Sequence, residues 1–436
     1  MTAAVVLGAG ATGLAAALEL RDRGREVVLL EASGRAGGKL GSRRENGFLL
    51  ETAAVGLLDR EGDLAPLAAR LGLTLLPAAA GARYLQRDGK VHALPANPLA
   101  LASSRLFSAK EKVSLLGEPL RPRSGAQSVS DFFARRLGPA GRFLGDALQT
   151  GIYAGDPAGL ELRSCFPQLA RLEARHGSLL RGLFAEGRRK GPRARLSSFD
   201  GGLEELVAAL AKAAGPSLRT GARALSVREG ASGFHLVVDE GSAQSELTTR
   251  ALLVTLPAPA AAAVLEPLDA QLAARLRELR AAPLTLVHLG VRDQDVGPRA
   301  RSFGLLSPGR PVAGTLFPAA LWPGRAPAGH TLITALVGGA RATQAAALSE
   351  VELHLLVREE LGRTIGLRGE PELLGVTRWP EAIPQYTLGH RARVAEIDRL
   401  TAAHPGLRLA GSWLRGVSVL DCLREGRRAA AALLNT

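Results

Sequence analysis

Cysteine is nearly missing from this 436-residue chain, which holds only Cys165 and Cys422. They form no C-x-x-C pair and no zinc spacing, so two reduced thiols in a cytoplasmic protein are expected. The eight histidines include no H-E-x-x-H, and no metal site is expected. Aromatic residues are only 4% of the chain, too few for the stacking platforms of a nucleic-acid binder, and no nucleic-acid partner is expected. No apolar run reaches the roughly 18 residues that a membrane-spanning helix needs. The nearest, from 251 to 265, is broken by Pro257 and Pro259. No basic region precedes the apolar start of the chain, so no signal peptide is read. Lysine is scarce too, at 39, 90, 110, 112, 190 and 212, yet scattered arginines bring the net charge to +14. That balance favours an anionic substrate or an anionic membrane surface.

Glycine, by contrast, is abundant where it matters. The apolar run Ala3 to Leu7 predicts a buried strand, and Gly8-Ala9-Gly10-Ala11-Thr12-Gly13 follows at G-x-G-x-x-G spacing. Leu14, Ala17 and Leu18 recur at helical spacing, Gly24 ends the helix, and Val27 to Leu30 predict a second strand ending in Glu31. The glycines permit a tight turn, close approach of a pyrophosphate and close helix–strand contact. The pyrophosphate would sit on the helix N-terminus, and Glu31 would accept from the adenosine ribose.

After Glu31 and Ala32, the run Ser33-Gly34-Arg35-Ala36-Gly37-Gly38-Lys39 completes an E-x-x-x-R-x-G-G pattern. Gly37 and Gly38 would let backbone approach the cofactor, and Arg35 would meet its phosphates. With this extension the chain resembles the flavin amine oxidase superfamily, which implies FAD. Between about 63 and 183 apolar residues recur mostly at helical spacing, separated by Pro-rich breaks at 95–98 and 119–122, with a hairpin at Arg83 to Gly89. A helix with Asp200 as its cap, then strands at 224–227, 234–238 and 251–256, follow. Strands are expected at 284–289 and 332–337 and a helix at 349–361. Near the end, a strand at 407–410, a turn at Gly411 and a helix opened by Gly416 and running from Val417 to Leu434 are expected. Such a helix N-terminus would face the flavin ring.

The fold class expected is α/β. A Rossmann-like FAD-binding domain would be built from three segments, 1–62, 197–260 and 376–436. A mostly helical insertion would occupy 63–196 and a mixed α+β substrate domain 261–375.

Several middle segments narrow the resemblance: Gln149-Thr150-Gly151-Ile152-Tyr153-Ala154-Gly155-Asp156-Pro157, Arg163-Ser164-Cys165-Phe166-Pro167, and Ile383-Pro384-Gln385-Tyr386 with Trp379 and His390. With the nucleotide unit, they resemble the oxygen-dependent, FAD-containing protoporphyrinogen oxidases over nearly the whole chain. The resemblance implies a porphyrinogen substrate, removal of six electrons in three two-electron steps, and O2 as acceptor giving hydrogen peroxide. It implies that Arg83 pairs with a substrate propionate and that Gly151 lets backbone approach the macrocycle. Phe303, Leu306, Leu316 and Leu336 would pack on the macrocycle. It extends the cofactor contacts to Ala32, Lys39, Thr52, Ala53, Ala54, Val55, Ala224, Trp379, Gly411, Gly416, Val417 and Ser418. His390 receives no role. The family usually has Gly-Pro two residues after the acid at Glu51; Ala53 stands there, where a left-handed turn would cost free energy.

The flavin performs the hydride transfer, so no certain catalytic side chain is expected. A coproporphyrinogen III oxidase, an amine oxidase or carotenoid desaturase, and a non-enzymatic prenyl-binding escort are the rival readings. Peripheral contact with anionic membrane is expected through Leu99, Leu101, Leu106 and Phe107 with Arg105, Lys110 and Lys112. A homodimer is compatible with the sequence.

Overall fold

The computed structural model describes residues 3–79, 81–95, 97–123, 125, 127–187 and 194–434. Ala96, inside the expected 95–98 break, lies outside them.

A five-stranded parallel sheet organises the nucleotide unit. Ala4–Leu7 lies at its centre, flanked by Val27–Glu31 and then Leu218–Thr220 on one side. Leu252–Val254 and then Leu407–Leu409 lie on the other. Val5 pairs with both Val28 and Leu252. The three central strands are almost continuous apolar runs because both faces are covered. On one face pack the helices Ala11–Asp22, Glu204–Ala214 and Val419–Leu433, through Leu14, Leu206, Leu210, Leu420 and Leu423. On the other lie the helices Ala258–Leu265, Ala270–Arg277 and His390–Ala402 and an antiparallel three-stranded sheet, which contributes Phe234, Leu236 and Val238.

A second, seven-stranded sheet runs in the order Glu372–Pro384, Ala281–Arg292, His330–Gly338, Val312–Leu316, Gly304–Leu306, Arg83–Arg87, Lys90–Ala93. The hairpin read at 83–89 thus extends this sheet, pairing in parallel with Gly304–Leu306. One face, with Val287, Leu289, Ile333, Ala335 and Val337, is sealed by Leu353, Val357 and Leu361 of the helix Glu350–Ile365. The opposite face is the one that matters below.

Helices between Pro98 and Gly187 pack beside this sheet. Their core holds Phe132, Phe133, Tyr153, Phe166 and Leu172. Glu118 and Arg136 form an ion pair with no solvent exposure on either side chain. Glu118 also accepts from the N–H groups of Leu179 (2.9 Å) and Leu180 (3.2 Å), capping the helix Leu179–Gly187.

Three expectations are corrected. Asp200 does not cap the helix at 204–214. Glu51, from the strand Phe48–Glu51, accepts from Leu203 N–H at 3.1 Å, and Ser42 Oγ accepts from Glu204 N–H at 3.0 Å. The terminal helix begins at Val419, not Val417. Ser418 caps it in a capping box with Asp421, while Gly411 to Gly416 bracket a single turn, Ser412–Arg415. Leu106 and Phe107 belong to no exposed face: they are buried with Leu85, Ala140 and Ala147.

Candidate active site

The loop after the first strand has room for little except glycine. Gly8 sits at φ +95°, and a Cβ on Gly13 would lie 1.8 Å from the Gly8 carbonyl oxygen. Thr255 Oγ1 bonds the carbonyls of Leu7 (2.8 Å) and Gly8 (2.9 Å). Gly37 N–H donates to the Ala9 carbonyl at 2.7 Å, and Gly38, at φ +58°, lies against Gly10. Gly10 differs: a Cβ there would meet nothing within 4 Å. Among the described residues no side chain caps the Ala11–Asp22 helix that Gly10 opens. An open space in front of an uncapped helix N-terminus fits the pyrophosphate of a dinucleotide.

The neighbouring groups are held in place by the chain. Glu31 accepts from Ala9 N–H (2.8 Å) and from Ser33 N–H (2.9 Å), which fixes its carboxylate at the end of its strand. Ala222 N–H donates to the Glu31 carbonyl at 2.9 Å, which puts Ala224 close to the Glu31–Ala32 end. Arg35 turns onto its own loop, donating to the carbonyls of Ala36 (3.0 Å), Gly38 (3.0 Å) and Leu40 (2.9 Å). It therefore shapes the Gly37–Gly38 turn, where the sequence had suggested a phosphate contact.

At the other end of the cradle, three distant segments converge. Lys39 Nζ donates to the carbonyls of Glu381 and Ala382, the latter at 2.8 Å, and burial holds its pKa below the usual lysine value. Thr52 Oγ1 donates to the Lys39 carbonyl (2.8 Å), and Trp379 Nε1 donates to the Thr52 carbonyl (2.7 Å). Thr52 is thus held between Lys39 and Trp379 and opens the segment Ala53, Ala54 and Val55, in which Ala53 keeps a negative φ. Gly426 of the terminal helix packs on Thr12, where a Cβ would lie 2.1 Å from the Thr12 carbonyl oxygen. The two helices therefore approach backbone to backbone at this point. Gly416, at φ +152°, donates its N–H to Tyr386 Oη at 2.6 Å, and Tyr386 donates to the Ser412 carbonyl at 2.5 Å. Tyr386 thereby positions the Gly411–Ser418 segment, a role its place in the sequence did not suggest.

The face of the seven-stranded sheet turned away from the helix Glu350–Ile365 collects the expected substrate contacts. Directly opposed residues share a face. Arg83 pairs with Gly304, Gly304 with Leu316, Leu306 with Gly314, and Gly314 with Leu336. Leu336 pairs with Leu286, Leu286 with Thr377, and Leu284 with Trp379. Arg83, Leu306, Leu316, Leu336 and Trp379 therefore look the same way. Leu306, Leu316 and Leu336 are half-buried, whereas Leu305, Thr315 and Val337 behind them are buried. The Arg83 guanidinium lies 4.6 Å from the centre of the Phe303 ring. Gly151, on the helix Pro139–Tyr153, faces Leu306: a Cβ there would come within 3.0 Å of Leu306 Cδ1. All six expected substrate contacts are thus neighbours. Farther along the same face, His288 bonds Thr334 Oγ1 at 3.1 Å through Nδ1, and burial pushes its pKa down to about 4.

The segments singled out in the sequence touch one another. Gln385 Nε2 donates to the Tyr153 carbonyl at 2.8 Å, and Glu161 N–H donates to the Tyr386 carbonyl at 2.7 Å. Ala154 takes a left-handed φ of +44°, with its carbonyl accepting from Ala340 N–H at 2.8 Å. That turn ties the Gly151 helix to the sheet.

Away from this site, large apolar side chains stand in solvent: Leu99, Val113, Leu116, Leu120, Leu183 and Phe184, the last 73% exposed. No helix among the described residues is long and apolar enough to cross a membrane.

A family model described as flavin containing amine oxidoreductase matches residues 11–434. The chain is 30% identical to the coproporphyrinogen III oxidase of Bacillus subtilis (strain 168), covering 99% of this chain and 97% of that protein. It is 31% identical to the mitochondrial protoporphyrinogen oxidase of Nicotiana tabacum, covering 99% and 94%. A solved structure from Exiguobacterium sp. 255-15 superposes with a TM-score of 0.85 at 24% identity, covering 100% of this chain and 99% of that one, which is a likeness of fold.

Proposed function

The chain belongs to the flavin-containing amine oxidoreductase family, and we propose that it oxidises a porphyrinogen in haem biosynthesis, with protoporphyrinogen IX as substrate and O2 as electron acceptor. Its cofactor is FAD. Gly8 to Gly13 and the Gly37–Lys39 turn would hold the pyrophosphate, Glu31, Ala32 and Ala224 the adenosine end. Thr52 to Val55, Trp379, Gly411 and Gly416 to Ser418 would hold the ring end. When bound, FAD supplies the hydride-accepting chemistry.

The observation that carries this reading is a half-buried sheet face, an apolar floor of Leu306, Leu316 and Leu336 with the Arg83 guanidinium at its edge. A flat apolar macrocycle with acidic side chains suits that combination. The leucines would hold the ring system and exclude water, Gly151 would let the helix backbone come close, and Arg83 would anchor a carboxylate bidentately. Full-length similarity to enzymes named for porphyrinogens supports the substrate class.

The choice of protoporphyrinogen rests on charge. Arg87 is committed to Glu111 at 2.6 Å and Arg341 to Asp146. Among the described arginines around this face, Arg83 has no carboxylate partner. One anchor suits a dicarboxylate better than a tetracarboxylate. The second reading, coproporphyrinogen III, is favoured by the likeness to the Bacillus subtilis enzyme. Anaerobic mixing of the FAD-loaded protein with each porphyrinogen decides between them: the preferred substrate bleaches the flavin at the lower concentration. Bleaching by neither would overturn the reading. In air, peroxide should reach about three per porphyrin formed.

We also propose peripheral contact with an anionic membrane, through Leu99, Val113, Leu116, Leu120, Leu183 and Phe184 together with Arg105 and Lys110.

A further inference from the structure

A cavity of about 650 Å³ opens between the helices Leu162–Cys165 and Pro167–His176 on one side and His390–Ala402 and Ser412–Arg415 on the other. None of its lining residues is a candidate contact of cofactor or substrate. Its walls include segments that the sequence singled out and the proposed function leaves unused: Arg163-Ser164 and His390.

Its lining is net positive: four arginines face one carboxylate, Asp398. Arg163, Arg171 and Arg391 line it, and among the described residues none has a carboxylate partner for its side chain. Arg415 is paired with Asp398 and Glu425. The other nearby acid, Glu161, is spent at the start of the His390–Ala402 helix, accepting from Gly389 N–H (3.2 Å) and Arg391 N–H (3.3 Å). Arg393 turns away onto the Thr387 and Leu388 carbonyls.

The floor also holds an unpaired polar atom. His390 is 2% exposed and stacks on Tyr386, with ring centres 4.1 Å apart and planes 17° apart. Its Nε2 lies 3.0 Å from the Leu414 carbonyl, which can only accept, so Nε2 carries the proton. Nδ1 is then a bare acceptor, buried and without a partner among the described residues. A buried acceptor left unpaired costs free energy that a donor on a ligand would recover.

We propose that this cavity is a second binding site, for a small polyanion that also carries a hydroxyl group. Arg163, Arg171 and Arg391 would take its carboxylate or phosphate groups, and its hydroxyl would donate to His390 Nδ1. A hydroxy-polycarboxylate and a phosphate ester share that chemistry. The site adjoins the candidate cofactor site through Tyr386, whose hydroxyl holds Gly416.

Calorimetry on the full, FAD-loaded chain tests this with citrate and with glycerol 3-phosphate as the two sources. Saturable binding of one of them, one per chain, is expected. Removing the hydroxyl, by using tricarballylate for citrate or methyl phosphate for the ester, should weaken binding at least about tenfold. The double variant Arg163→Ala/Arg391→Ala should weaken it by at least as much and leave FAD content and unliganded turnover unchanged. His390→Phe keeps a ring on Tyr386 and should abolish the preference for the hydroxyl. Absence of saturable binding by both probes would overturn the proposal. So would full affinity in the double arginine variant, or equal affinity for probes with and without the hydroxyl; the last comparison needs only the unaltered chain.

Discussion

Arg83 lies over Phe303, its guanidinium carbon 4.6 Å from the ring centre, at the edge of the face that Leu306, Leu316 and Leu336 share. The aromatic face steadies the cation without neutralising it, so the charge stays available to a carboxylate. If Arg83 anchors a substrate carboxylate as proposed, Arg83→Ala removes a charge-assisted pair contributing roughly 1.5–3 kcal/mol. kcat/KM should therefore fall about 10- to 150-fold, at about 1.4 kcal/mol per tenfold. The anchor is remote from the reacting carbon, so KM should carry much of the loss. Arg83→Lys should recover part, since an ammonium lacks the planar fork. Wild-type kinetics in Arg83→Ala would return this residue to an ordinary surface arginine.

Gly10 and Gly13 should fail differently. A Cβ at Gly10 meets no protein atom within 4 Å, whereas one at Gly13 would lie 1.8 Å from the Gly8 carbonyl oxygen. Gly10→Val should fold with a near-native melting temperature and purify colourless, because its side chain would enter the space proposed for the pyrophosphate. Gly13→Val should be lost to misfolding. Full flavin absorbance in Gly10→Val would refute the placement of the pyrophosphate.

Two buried groups should bend the pH dependence of stability in opposite directions. Burial pushes Glu51 up to about 7, against the hydrogen bonds from Ser42 and Leu203 and the nearby charge of Arg325, which favour the carboxylate. Between its usual value and about 7 the folded chain holds a proton that the unfolded chain has released. That contribution is therefore lost as pH rises through the window, on the order of 3 kcal/mol. His288, pushed down to about 4, does the reverse: the unfolded chain binds the extra proton, and stability rises with pH from about 4 to about 6.5. Glu51→Gln should expose the rising limb alone. Urea unfolding at a series of pH values checks this, and an unchanged profile in Glu51→Gln would show that Glu51 is ionised throughout.

The enclosed pair Glu118–Arg136 should be costly to halve. Glu118→Ala strands a buried guanidinium and uncaps Leu179 and Leu180, and is expected to cost about 3–5 kcal/mol. Glu118→Ala/Arg136→Met should cost less than the single change. A more damaging double variant would mean that Arg136 is held chiefly by its bonds to the Arg121 and Gly177 carbonyls.

Sedimentation with anionic vesicles tests the exposed leucines. Binding is expected at low salt and should weaken as salt screens Arg105 and Lys110. Leu120→Glu/Phe184→Glu, at side chains 86% and 73% exposed, should reduce it without lowering the melting temperature. Equal sedimentation by the double variant would remove these residues from the contact.

Local spacing proved readable and long-range partnership did not. The strand–glycine–helix–strand unit ending at Glu31 stands where its periodicity placed it, and Asp88-Gly89 turns the predicted hairpin. Nothing around Arg83 announces that its strand will lie beside Gly304. Asp200 looks like a cap because helix starts favour aspartate, but that helix start is buried, and Glu51 reaches it from about 150 residues away. Gly416 looked like a helix opening because glycine breaks patterns; Ser418 carries the hydrogen bonds that begin the helix. Leu106 and Phe107 looked like a surface stripe because a short amphipathic segment does not reveal which side the protein covers. Arg35 fits a phosphate contact by motif alone, yet three carbonyls of its own loop lie within its reach.

The meeting of Gly426 with Thr12 has a consequence for how the protein is made. The glycine loop leaves the ribosome early, but the strand Leu407–Leu409 and the helix that crosses Thr12 are translated nearly a whole chain later. Contacts so distant in sequence form late. Until this strand and helix join, the nucleotide sheet has the Leu252–Val254 edge open, and the candidate cofactor site lacks the packing of Gly426 on Thr12. Limited FAD during expression should then accumulate a complete but loosely closed chain, cut by protease first around the terminal helix.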